Sequence, residues 1–196
     1  MGHRFADILF SAPVKSVQQA ENSRDFYARF ESREDSNYRL TDKEIQFLQC
    51  RDSFYIASVS PDGWPYIQHR GGAQGFIKII NENHIGFADF SGNRQYITTG
   101  NLRANNRVAL FFMDYPKRRR LKMLGRAFEL NATENIHENT NMRTLVDSAY
   151  PAQVERGFVI RVEAFDWNCS QHIIPRYDQM QIDTFVKSTS NKQPQN

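Results

Sequence analysis

Cysteine is scarce in these 196 residues: Cys50 and Cys169 stand far apart and form no Cys-x-x-Cys pair. That argues against a disulfide scaffold, a zinc site and a thioredoxin-like motif. Long apolar runs are missing as well. None approaches the ~18 residues of a membrane span, and the opening Met-Gly-His-Arg-Phe has no secretory pattern. A soluble, cytoplasmic protein is the expectation. Charge of one sign is also limited: a formal net charge of +3 does not force a nucleic-acid or membrane partner. The chain has no Walker loop, no Gly-x-Gly-x-x-Gly after a strand and no Gly-x-Ser-x-Gly elbow. Its five histidines make no metal pattern, so no metal site is expected.

What is present suits a β-rich interior. The apolar fraction is 40% and the aromatic fraction 13%, with fifteen Phe and eight Tyr. Flat rings pack well on a pleated sheet. The length fits one domain with appended arms. Residues 1–40 read as a partly helical arm, with Val14 and Val17 on one helical face. Residues 41–187 read as the main domain with its C-terminal segment, and 188–196 as a polar, frayed tail.

Thr41-Asp42-Lys43-Glu44 is a capping box, in which hydroxyl and carboxylate satisfy orphan amides at a helix start. A short helix to about Cys50 is expected. The period then changes to two. Ser53 to Ser60 and Trp64 to His69 form a hairpin across Pro61-Asp62-Gly63. Phe76 to Ile80 and His84 to Asp89 form a second, across Asn81-Glu82-Asn83. Ser91 to about Asn105 reads as a loop entering a short helix. Arg107 to Met113 and Arg119 to Leu130 form a third hairpin, and Gly157 to Asp166 a last strand. Six or seven antiparallel strands with one small helix between them suggest a barrel, which removes the edge problem of an open sheet.

Four stretches carry chemistry. Gln68-His69-Arg70-Gly71-Gly72 ends a strand, where glycines permit close backbone approach and Arg70 offers a fork for an anionic oxygen. Its bland reading is a solvent-facing Gly-Gly loop. Asp89-Phe90-Ser91-Gly92-Asn93-Arg94-Gln95-Tyr96 leads into a helix, whose start suits a phosphate. Ordinary capping by Ser91, with Arg94 in water, is the alternative. Lys117 to Lys122 carries five cations in six residues, but strand alternation sends Arg118, Arg120 and Lys122 one way and Arg119 the other. Asp166 to Tyr177 gathers Trp167, Gln171, His172 and Arg176, which suits a planar aromatic ligand or simple packing of Trp167 and Ile173.

Residues 54–72 (FYIASVSPDGWPYIQHRGG), 85–102 (IGFADFSGNRQYITTGNL), 107–127 (RVALFFMDYPKRRRLKMLGRA) and 165–177 (FDWNCSQHIIPRY) resemble, in this order, the FMN-binding members of the pyridoxamine 5′-phosphate oxidase-like superfamily. The resemblance spans roughly residues 41–177 and is strongest to the oxidase-related flavin-nucleotide-binding branch. It implies a six-stranded antiparallel split barrel with peripheral helices, and a homodimer with FMN at the subunit interface. His69, Arg70 and Gly71 would line the flavin, and Asp89 and Phe90 would lie beside the ring. Ser91, Asn93, Arg94 and Gln95 match the phosphate-holding stretch. Arg119 and Lys122 would reach the cofactor across the interface, and Gln171, His172 and Arg176 would close the site. Two departures bear on the substrate. Arg94-Gln95 stands where the vitamin-B6 enzyme has Arg-Lys, and its C-terminal substrate motif is replaced by Asn-Cys-Ser-Gln-His.

The expected function is therefore an FMN-dependent oxidoreductase of unnamed substrate. Rival readings are a non-catalytic flavin carrier or sensor, a haem-binding barrel and a nucleic-acid module led by Arg118 to Arg120.

Overall fold

The aromatic count is explained by the centre of the molecule. In a computed structural model of the chain, Phe54, Phe87, Phe112 and Phe158 are fully buried. Phe54 meets Phe87 and Phe112 with ring centroids 5.1 Å apart, and Phe87 meets Phe158 at 5.6 Å. Each ring stands on a different strand, so the cluster ties the sheet together from inside. The structure describes residues 3–131, 140–147, 150–167 and 170–190.

Seven strands carry this core: β1 (Ser53–Val59), β2 (Pro65–Gly71), β3 (Lys78–Asn81), β4 (His84–Phe90), β5 (Arg107–Asp114), β6 (Arg119–Asn131) and β7 (Val154–Trp167). They form one antiparallel sheet in the order β2-β1-β5-β6-β7-β4-β3. The expected hairpins are all present, with boundaries displaced by a residue or two. The count is seven where the resemblance implied six, because β3 adds a short edge strand. The margins β2 and β3 do not pair with each other, so the curled sheet is not closed. Arg70 of β2 nevertheless reaches Asp89 of β4, which puts a charged contact across the seam.

Seven helices surround the sheet among the described residues: α1 (Arg4–Leu9), α2 (Ala12–Ala20), α3 (Arg24–Glu31), α4 (Asp42–Gln49), α5 (Ile97–Ala104), α6 (Thr140–Leu145) and α7 (Gln179–Ser190). The arm is thus α1 to α3, held to β7 by Arg4, whose guanidinium donates to the Glu163 carboxylate at 2.9 Å. The capping box opens α4 as expected: the Thr41 backbone N–H donates to Glu44 at 3.1 Å. Glu44 then accepts from the Trp167 indole N–H at 2.6 Å, and Phe47 meets the Trp167 ring at 4.7 Å. Trp167 therefore packs against α4 and is not displayed to a ligand. Residues 188–190 of the expected tail continue α7, while 191–196, Asn168 and Cys169 lie outside the described residues. No described helix is long and apolar enough to cross a membrane.

Candidate functional site

The second chemical stretch folds into a tight loop between β4 and α5. Arg94 and Tyr96 both adopt left-handed backbone, with φ of 60° and 52°. Non-glycine residues pay for that conformation, and such strain concentrates where a loop is shaped for a task. Tyr96 is the N-cap of α5. Ser91 lies five residues earlier and does not cap the helix; its backbone N–H donates to the Gln153 carbonyl at 2.8 Å. Two side-chain contacts fix α5. Asn101 Nδ2 donates to Ser58 Oγ at 3.1 Å in the interior, and Arg103 makes a two-pronged contact to Glu129 at 2.9 and 3.0 Å.

The loop, the first turn of α5, one face of β2 and the start of β7 enclose a polar cavity of about 250 Å³. Its walls include Arg70, Asp89, Phe90, Asn93, Arg94 and Gln95, six of the residues singled out from sequence. Asp89 is 6% exposed. The Arg70 guanidinium hydrogen-bonds it, and Arg156 Nε stands 3.5 Å away on its other side. Burial raises the Asp89 carboxyl above its ordinary value, against the downward pull of Arg70 and Arg156. Arg156 continues the network to Glu129 at 3.2 Å and Glu155 at 2.9 Å, and its guanidinium lies 4.9 Å over the Tyr96 ring. Arg94 Nε donates to the Tyr96 hydroxyl at 3.3 Å.

The other expected site residues lie elsewhere in this single chain. His69 alternates to the opposite face of β2, where its ring meets Tyr55 at 5.6 Å. At Gly71 and Gly72 the close neighbours belong to the chain itself. A side chain at Gly72 would meet Phe76 at 2.8 Å, and one at Gly71 would meet His69 at 3.1 Å. Arg119 pairs with Asp114 at 3.0 Å, and Lys122 pairs with Asp166 at 3.2 Å. Those two cations leave the sheet on different faces, as alternation required. Gln171 and His172 sit in the exposed turn after β7. Arg176 stacks 4.9 Å over Tyr115 beside a separate cavity of about 520 Å³.

Tyr66, Thr98, Thr99 and Glu155 also line the polar cavity and lie outside the four chemical stretches singled out from sequence, while Gln68 and Tyr96 lie inside them without an assigned role. Strand period carries the signal for two of them, since Tyr66 and Gln68 share the face of Arg70. No local motif marks Glu155 or Arg156. Among the described residues, no group of three or more His, Cys, Asp or Glu side chains could hold a metal ion.

Comparison with known proteins identifies the family of the fold. Among solved structures, a candidate pyridoxamine 5′-phosphate oxidase from Lactobacillus delbrueckii is 17% identical at a TM-score of 0.50, covering 67% of this chain and 96% of its own. HupZ from Group A Streptococcus is 14% identical at a TM-score of 0.50, covering 70% of this chain and 100% of its own. At such identities the likeness shows the fold alone. No curated protein matches by sequence. The family model described as pyridoxamine 5′-phosphate oxidase matches residues 40–164, well over half of the chain. By that match, together with the shared sheet, this chain belongs to the pyridoxamine 5′-phosphate oxidase family.

Proposed function

We propose that the protein binds FMN in the polar cavity and acts as an FMN-dependent oxidoreductase of the oxidase-related type. The observation that carries this reading is the convergence of Arg70, Asn93, Arg94 and the first turn of α5 on one cavity. A phosphate dianion is suited by a guanidinium, amide donors and the positive end of a helix together. The side chains present fit such a guest. The buried Nε of Arg70, a residue of the cavity wall, has no hydrogen-bond partner among the described residues, so a donor remains for an anion. Bound flavin would supply the electron-accepting chemistry, while the chain supplies position and charge. Arg94 holds the phosphate, and Arg70, anchored by Asp89, presents a fixed positive charge beside it.

At about 250 Å³ the cavity is smaller than the ~300–1,000 Å³ typical of a small-molecule site. A second copy of the chain would supply the missing wall. The outward face of β1 and β2 suits that role, with Tyr55 and Ile67 exposed in adjacent rows and Trp64 beside them, 76% exposed. In such a homodimer Lys122, Gln171, His172 and Arg176 act on the neighbour's site, while Arg119 stays with Asp114. The haem alternative finds no histidine among the residues lining the cavity. The nucleic-acid alternative loses Arg119, the middle of its three cations, to Asp114.

Titration should quench FMN fluorescence, and Arg94→Ala should weaken FMN binding about tenfold, the scale of one charge-assisted hydrogen bond. Riboflavin, lacking the phosphate, should lose much less. Folded protein that leaves FMN fluorescence unchanged overturns the reading. Sedimentation giving only monomer at micromolar concentration with FMN present overturns the shared site.

A further inference from the structure

The start of β7 carries an irregularity at the cavity. Asp89 pairs with Arg156 and Phe90 with Val154, so Glu155 is an extra residue with no partner on β4. A bulge of this kind turns a side chain out of the regular alternation, and bulges recur beside binding sites for that reason. Here the extra side chain lines the cavity.

Its carboxylate is well supplied with donors. Glu155 Oε1 accepts from the Tyr96 hydroxyl at 3.3 Å, and Oε2 accepts from Arg156 Nη2 at 2.9 Å. Arg94 is joined to the same cluster through Tyr96. Arg94 and Tyr96 line the cavity together with Glu155, and Arg94 is the group that a phosphate there would use first. A carboxylate is a smaller anion with the same preference for hydroxyl and guanidinium donors.

We propose that Glu155 is a built-in counter-anion: its carboxylate engages the donors of the phosphate place and competes with an incoming phosphate monoester. The inference rests on the reading that this cavity receives the phosphate of a flavin mononucleotide, and adds what opposes it. Three features carry it together, namely the bulge that aims Glu155 inward, the Tyr96 hydroxyl that links it to Arg94, and the cavity that all three residues line. The Arg156 hydrogen bond, with smaller contributions from Ser91 and Tyr96, outweighs desolvation and holds the carboxyl below its ordinary value. Glu155 is accordingly an anion at neutral pH. When a phosphate enters, Arg94 and the Tyr96 hydroxyl turn to it while Glu155 retains Arg156. An unphosphorylated ligand gains nothing from that exchange, so the device weights the cavity toward strong, doubly charged anions.

A purely structural role for Glu155, holding Tyr96 and Arg156 in place, has the opposite sign. Removing the charge would then loosen the loop and weaken every ligand. The test is Glu155→Gln, which keeps the shape and a hydrogen-bonding oxygen. Full-length wild type and variant are titrated separately with inorganic phosphate by calorimetry, and with FMN and riboflavin by fluorescence. Inorganic phosphate and FMN should each bind about three- to tenfold more tightly to the variant, the scale expected for removing one partly screened like charge. Riboflavin should change less than about twofold on the same reasoning. Glu155→Ala carries the same expected sign and covers the case in which Glu155→Gln does not fold. Unchanged or weaker phosphate binding in a folded variant overturns the proposal, as does an equal gain for riboflavin and FMN. If phosphate tightens while FMN binds neither protein, the counter-anion stands and the flavin assignment falls.

Discussion

Two buried aspartates, each flanked by two arginines, resolve the same problem in opposite ways. Asp114 ends β5 at 3% exposed. It accepts from Arg51 at 3.3 Å, from Arg119 at 3.0 Å and from the Lys117 backbone N–H at 3.1 Å. Burial pushes its carboxyl up, but the Arg119 and Lys117 hydrogen bonds and the two positive charges outweigh burial and hold it below its ordinary value. The guanidiniums of Arg51 and Arg119 lie 4.8 and 5.4 Å from the Phe47 ring, so the cluster is capped by α4. At Asp89 burial wins over Arg70 and Arg156, and the carboxyl lies above its ordinary value. Matched composition therefore says little. Hydrogen bonds that fully serve the charge make a structural clamp, whereas a charge left short of them beside a cavity marks a place prepared for a guest.

The largest expected effect that separates the two is stability. Asp114→Asn should cost about 3 kcal/mol, since it leaves the mostly buried Arg51 without its carboxylate; urea unfolding measures it. Asp89→Asn should cost less than about 1 kcal/mol at neutral pH, because the fold already disfavours the charged form there. Equal losses would erase the distinction. Acid unfolding sharpens it further. For Asp114 the folded value is depressed, so its contribution is present at neutral pH and is lost as pH falls below 3.8 toward the folded value. Asp89 has the reverse sign: its folded value is raised, so lowering the pH through that value relieves the folded state. Asp114→Asn should flatten the acid limb of the stability curve, and Asp89→Asn should not. A loss well below that at Asp114 is expected at Glu44. Burial raises its carboxyl, while hydrogen bonds from Thr41 and Trp167 bring it below 4.5 overall. Glu44→Gln should cost about 1 kcal/mol by the usual worth of a capping contact, and thermal melting should show a modest fall.

Much of this fold is legible in the sequence because its signals are local. Thr41 and Glu44 announce α4 within four residues, and Pro61-Asp62-Gly63 sets the first hairpin. The loop from Asp89 to Gln95 brings most of the site together for the same reason: neighbours in sequence remain neighbours in space. What sequence misses depends on register. The resemblance groups His69 with Arg70, yet a strand turns adjacent side chains to opposite faces, so within this chain it is Gln68 and Tyr66 that share the face of Arg70. Arg156 and Glu155 come from the beginning of β7, which alternation places at Gly157; the strand begins three residues earlier, at Val154. Nothing in Val-Glu-Arg-Gly announces a pairing shift against Asp89 and Phe90. The C-terminal cluster was legible only as composition. Trp167 went to α4 and Arg176 to Tyr115, contacts whose partners lie far away along the chain.

The pairing shift at Glu155 also bears on how such a cavity can change through descent. An ordinary substitution there alters one side chain and leaves β4 and β7 in step. Loss of that single codon would do two things in one event: it would delete the carboxylate and restore regular pairing of Val154 and Arg156 with Phe90 and Asp89. A lineage could thus shed the competing anion without rebuilding the sheet, because the residue that carries the charge is also the residue the ladder does not need.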